Sequence, residues 1–179
     1  MRNILVVVDM QNDFIDGALG TAEAVEIVPA VVEKIKSFDR ADVYATRDTH
    51  DEHYPETQEG HKLPVPHCYK GTEGWEIRDE IAPLIPDDHI FDKPTFGSVA
   101  LAEEMKKIYE EEGANGEASL TIELCGLCTG ICVVYNALVL KATLPEVPVR
   151  VDAACCACVT PEAHDAAIAT MRTAQVEIL

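Results

Sequence analysis

Short apolar runs, each stopped by a charged or turn-forming residue and separated by stretches of helical period, constrain this chain more than any other feature. Runs of about four to eight aliphatic residues without polar alternation suit strands buried on both faces, and such strands alternating with amphipathic helices build βαβ units. Six runs qualify: Ile4 to Val8, Val43 to Thr46, His89 to Asp92, Leu120 to Leu124, Val147 to Val151, and Val176 to Leu179. Between them, Ile27, Val31 and Ile35 mark one helix face, and Val99 to Tyr109, Ile131 to Lys141, and Ala163, Ala167, Met171 mark three more helices. Thr160 followed by Pro161 predicts an N-cap and first turn for the last of these. The expected fold is α/β, a three-layer α/β/α sandwich around a mainly parallel, Rossmann-like sheet of six strands.

At 179 residues and 47% apolar content, the chain can bury a substantial core yet is short for two domains, so one domain over 1–179 is expected. Its formal net charge of -18 repels phosphate backbones and anionic membrane surfaces, which argues against a nucleic-acid or membrane partner. Five apolar residues before Asp9 are too few for a signal-peptide core or a membrane span. Seven cysteines without the spacing of a disulfide framework fit reduced thiols, and a cytoplasmic location is expected.

In an open parallel sheet, ligands bind outside the carboxyl ends of the strands. Asp9 ends the first run, Asp48 and His50 follow the second, Lys93 follows the third, and Cys125 to Cys132 follow the fourth. Asp often ends strands in turns, and a lone Lys is usually a solvated charge. Together at matching points of two strands, Asp9 and Lys93 become an ion pair that keeps the carboxylate ionised and stabilises a neighbouring anion. Cys132 lies where a small-residue turn enters a helix, a place that favours a thiolate and offers free backbone N–H groups to an oxyanion.

Cys155, Cys156 and Cys158 read as apolar filler, and a zinc or redox reading of the Cys125-x-x-Cys128 pair, with Cys155 and Cys158 as a second pair, ranks lower because pairs this apolar are more often buried structure. The segment from Asp48 to Gly74 has no clear period but holds four of the six histidines, which marks it as a functional loop. Asp48 and His50, two apart in extended chain, project to one side and can share a cation, with His67 as third ligand. For a fourth group, spacing leaves Glu56, Glu59, His53 and His61 open.

With these residues in place, the chain resembles the isochorismatase-like cysteine hydrolases, and within them the nicotinamidases (pyrazinamidases). The resemblance rests on Val7 to Phe14, Thr46 to His50, Pro66-His67-Cys68 with Gly71-Thr72, Lys93 to Phe96, and Gly126 to Val133. It implies that Asp9, Lys93 and Cys132 form the catalytic triad and that the Leu127-Cys128 peptide is cis. It further implies a divalent metal, zinc by preference, on Asp48, His50 and His67, with Glu59 chosen as the next ligand ahead of Glu56. The loop spacing and Gly130-Ile131 depart from better-known members. These departures bear on the substrate more than on the reaction.

On this resemblance the chain is an amidohydrolase that cleaves a small carboxamide, nicotinamide first among them, through a thioester. Backbone N–H groups of Cys128 and Cys132 hold the oxyanion, Phe14 and Trp75 are the aromatic candidates for walling a ring, and a homo-oligomer is expected. The nearest rival is an amidase of the same family acting on an N-carbamoyl compound without a metal. A phosphoacceptor receiver module also places acids and a Lys-Pro at strand ends, but Lys93 comes too early for it. A zinc or redox protein built on the cysteines is a third reading. No G-x-G-x-x-G follows the first run, so a dinucleotide site is weak.

Overall fold

The computed structural model describes residues 2–113 and 119–179. Six strands form one parallel sheet: β1 (Arg2–Val8), β2 (Val43–Asp48), β3 (Ile90–Lys93), β4 (Leu120–Leu127), β5 (Val149–Ala157) and β6 (Glu177–Ile178), in the order β3-β2-β1-β4-β5-β6. The uninterrupted apolar run of β1 has its reason here, since Ile4 to Val8 are each at most 1% exposed in a central strand covered on both faces.

Among the described residues six α-helices accompany the sheet: α1 (Asn12–Ile15), α2 (Ala22–Lys36), α3 (Gln58–Lys62), α4 (Val99–Gly113), α5 (Val134–Thr143) and α6 (Pro161–Thr173). The chain moves one way along the sheet from β1 to β3 and the other way from β3 to β6. Right-handed crossovers therefore put α2 on one face and α4, α5 and α6 on the other, completing three layers. Thr160 caps α6 as its sequence predicts, its Oγ1 accepting from Ala163 N at 3.2 Å. Among the described residues no helix is long and apolar enough to cross a membrane.

Three departures from the sequence reading matter for the site. Strands β2 and β3 each run one or two residues further than their apolar runs, so Asp48 and Lys93 lie on the last rung, paired to each other. Strand β5 does not stop at Val151: its ladder with β4 steps from Leu124↔Val151 to Gly126↔Cys156, leaving residues 152–155 bulged opposite Cys125. Asp152 and two alanines hide that continuation in the sequence, because the bulge breaks the apolar pattern. Finally, α5 begins only at Val134, behind a π-helical turn over Thr129–Val133.

Because strand order reverses at β1, the chain ends of β1 and β4 diverge to opposite sides and open a crevice between them. Gly126 makes the approach possible. At φ +117 it packs so closely on β1 that a Cβ there would run into the Val8 carbonyl.

Candidate active site

Asp9 is the first residue past β1 and adopts φ 47, which turns the chain out of the sheet while leaving its carboxylate on the rim. It is fully buried. Thr46 Oγ1 donates to its Oδ1 at 2.7 Å, and Lys93 Nζ pairs with its Oδ2 at 2.7 Å. Lys93 stands on β3, with β2 between it and β1, so the reach is about two inter-strand spacings, roughly 10 Å. A long flexible side chain is needed to cover that span, and Lys93 does so with only 2% exposure.

Cys132 enters from the other side of the crevice on the π turn. Ile131 N and Val133 N both donate to the Cys128 carbonyl, at 3.0 and 3.1 Å, and Asn136 Nδ2 donates to the Cys132 carbonyl at 2.8 Å. Cys132 Sγ lies 3.5 Å from Lys93 Nζ. The Leu127-Cys128 peptide just before the turn is cis. The structure thus brings Asp9, Lys93 and Cys132 into contact from three separate strand ends.

Charge in this cluster is set by burial and by neighbours. Burial pushes the Asp9 carboxyl above its ordinary pKa, Lys93 opposes this, and the Asp48 carboxylate adds to the rise. Burial disfavours the Lys93 ammonium, but Asp9, Cys132 and Asp48 outweigh it and hold its pKa above the usual lysine value. The Cys132 thiol is pushed far up by burial and then by Asp9, against the pull of Lys93. This corrects the expectation that the helix start favours a thiolate. The sulfur sits inside a π turn at 5% exposure rather than at a solvated helix end, and it rests as a thiol beside a carboxylate.

Asp48, His50 and His67 are all buried, with a ligand atom from each lying within 4.8 Å of the others. Asp48 Oδ2 lies 3.0 Å from His50 Nε2 and 3.5 Å from His67 Nε2. His67 Nδ1 faces the Val65 carbonyl at 2.8 Å, which turns Nε2 toward the cluster. His50 Nε2 is buried yet makes no aligned hydrogen bond despite the nearby oxygen, which is what ligands converging on a shared cation look like. Glu59 Oε1 stands 3.9 Å from both Nε2 atoms. His53 and Glu56 instead pair with each other at 68% and 78% side-chain exposure, and His61 is exposed. The donor set of two imidazoles and two carboxylates suits zinc or another divalent ion.

Lys93 joins the two clusters, its Nζ lying 3.5 Å from Asp48 Oδ1. Phe14 lies beside this junction, its ring 5.5 Å from that of His67. The Trp75 indole is engaged by Thr49 Oγ1 at 2.8 Å and by the Arg47 guanidinium stacked 3.5 Å above the ring. Tyr54 closes the other flank, with ring centroids 4.5 Å from His50 and 4.9 Å from His67.

Supporting residues were missed by sequence reasoning, although several fall in the quoted motifs. Gln11 binds the backbone of Asp48, Thr46 holds Asp9, and Asp13 accepts from Cys68 N at 2.7 Å, fixing the residue after His67. Asn136 also accepts from Ser98 N at 2.9 Å and so locks the helix behind Cys132 to the start of α4. Signals for Gln11 and Asp13 lay in their spacing from Asp9. None existed for Asn136, one of several polar residues in a helix.

The seven cysteines are free thiols, six of them buried and Cys128 half-buried. Burial raises the pKa of Cys128 to about 12 and of Cys155 to about 11. For Cys155 that agrees with its reading as apolar filler.

Fold and cluster together define a class: an α/β protein holding a thiol, a carboxylate and an ammonium in contact at the switch point of a parallel sheet, as a cysteine hydrolase does. The isochorismatase domain model matches residues 3–179, and the chain belongs to the isochorismatase family. It is 31% identical over 152 residues, 77% of this chain and 78% of the relative, to an uncharacterized isochorismatase family protein, PncA, of Bacillus subtilis.

Among solved structures it is similar to the pyrazinamidase of Pyrococcus horikoshii in complex with zinc, at TM-score 0.76 and 26% identity over 99% of this chain and 98% of that one. It is similar to nicotinamidase PncA from Bacillus subtilis at TM-score 0.78 and 25% identity over 99% of each chain. Against N-carbamoylsarcosine amidase from Thermoplasma acidophilum the values are 0.72 and 28%, over 99% and 95% of the chains.

Proposed function

We propose that this family member is a nicotinamidase, hydrolysing nicotinamide to nicotinate and ammonia. The observation that carries the reading is the position of Lys93, whose single ammonium touches Asp9, Cys132 and the metal-ligand Asp48. A cation site one side chain away from a nucleophile suits a small substrate that has both a carboxamide and a ring heteroatom. The zinc-bound pyrazinamidase among the similar structures supports the same choice.

In the reaction, Asp9 takes the Cys132 proton and the sulfur attacks the carboxamide carbon. The backbone N–H groups of Cys128 and Cys132 receive the oxyanion, while Lys93 offsets the negative charge on the sulfur and on Asp9. Protonated Asp9 then gives its proton to the departing ammonia. Water attacks the thioester with Asp9 as base, releasing the acid and restoring the thiol. A divalent ion, zinc in this reading, would be held by Asp48, His50, His67 and Glu59 and would supply a Lewis-acid anchor for the pyridine nitrogen. Phe14 flanks the ring, and Trp75 holds the loop that backs the metal ligands. We read the enzyme as one hydrolase domain working in the cytoplasm as a homo-oligomer.

Single-turnover release of ammonia from nicotinamide tests the proposal. Wild type should release one equivalent per site and Cys132→Ala none. Equal release by the variant would remove the thiol mechanism. N-carbamoylsarcosine belongs in the same assay, because identity to that amidase is just as high. Preferential cleavage of it, unaffected by a chelator, would displace nicotinamide as the substrate.

A further inference from the structure

We infer that Gln11 is a positioning residue for the metal ligand Asp48, its side chain replacing a ladder rung that the turn at Asp9 removes. This rests on the metal reading above. Strands β1 and β2 pair in register from Leu5↔Val43 to Val8↔Thr46, and Asp9 N adds a bond to the Thr46 carbonyl at 3.2 Å. Two residues further along β2, Asp48 presents its N–H and C=O to the same side, where β1 has already left the sheet. The departing chain pairs elsewhere, Gln11 forming an antiparallel bridge with Ile77.

The vacant rung is filled by the Gln11 carboxamide. Its Oε1 accepts from Asp48 N at 2.7 Å, and its Nε2 donates to the Asp48 carbonyl at 2.8 Å. A primary amide carries the donor and acceptor of a peptide group, so it satisfies both backbone atoms at once, which an ionised carboxylate, having no donor, cannot do. The second amide hydrogen donates to the Trp75 carbonyl at 2.9 Å, which ties the neighbouring loop to the same point. Gln11 is 0% exposed, so all three bonds lie out of reach of bulk solvent. With its backbone pinned on both sides, Asp48 holds its carboxylate between His50 and His67 on one oxygen and Lys93 on the other.

The test is zinc affinity of the metal-free protein, read by competition with a chromophoric chelator, beside thermal denaturation of the same samples. Gln11→Met keeps length and removes every polar contact. It should bind zinc about 10–100-fold more weakly than wild type, the usual effect of losing a group that orients a metal ligand. Asn136→Ala removes another buried amide, on the nucleophile side of the crevice, and should lose stability while keeping wild-type zinc affinity. Should Gln11→Met not be recovered folded, Gln11→Asn, one methylene too short to reach, replaces it with the same expectation.

Zinc binding by the Gln11 variant equal to wild type, or an equal loss in Asn136→Ala, would overturn the positioning role and leave the metal reading intact. Wild type that binds no zinc would remove both together.

Discussion

Thr46 and Asp9 show how one hydroxyl can tune a base. In the proposed reaction Asp9 must be ionised to take the thiol proton, and its pKa is raised, so activity should be present above that pKa and lost as pH falls through it. The acid limb of kcat/KM should therefore lie above the ordinary carboxylate range near pH ~4. Thr46 Oγ1 donates to the ionised form, so Thr46→Val should move the acid limb to still higher pH. A pH–rate profile that stays in place would show that some other group governs the limb. At this scale, reactive residue types at strand ends were legible, because the end of an apolar run can be seen in a sequence. Thr46 and Asn136 were not, since a hydroxyl or amide acquires its role from a partner such as Asp9 or Ser98, far away along the chain.

Elements hold the site through a few polar links across the layers. Lys34 on α2 reaches the sheet and bonds Glu123 of β4 and Asp152 of the β5 bulge, each at 2.6 Å. Burial opposes its charge, but the two carboxylates outweigh this and raise its pKa, so its stabilisation is intact below the unfolded lysine pKa and fades only as pH rises through the folded value. Lys34→Met leaves two mostly buried carboxylates facing each other and should cost about 3 kcal/mol in urea denaturation at pH 7. The loss should shrink at pH 4, where carboxylates begin to protonate; a loss independent of pH would refute the electrostatic origin. The sequence showed α2 by its apolar stripe of Ile27, Val31 and Ile35, and said nothing of this link. Bulged β5 and the π turn before α5 were hidden for a related reason. Both break the periodicity by which strands and helices are recognised.

For the whole molecule, 32 acidic against 14 basic side chains give a charge of -18, spread over one compact sheet. Self-repulsion of that size favours the expanded chain, and salt weakens it. Raising NaCl from ~10 mM to ~150 mM shortens the screening length from about 30 to about 8 Å and should raise the Tm. An unchanged or lower Tm would mean that attractive pairs such as Arg2–Asp42 dominate the surface instead.

By itself the sequence determined the class of fold, the order of strands and helices, and which charged and thiol residues stand at the strand ends, because burial on both faces writes itself as continuous apolar runs. The tertiary structure alone decided that Lys93 crosses β2 to reach Asp9, that burial raises the Cys132 thiol, that His53 and Glu56 turn away to pair with each other, and that Gln11 completes the sheet behind Asp48. Each of these depends on distance and desolvation between residues remote in the chain. Neither quantity exists until the sheet has formed.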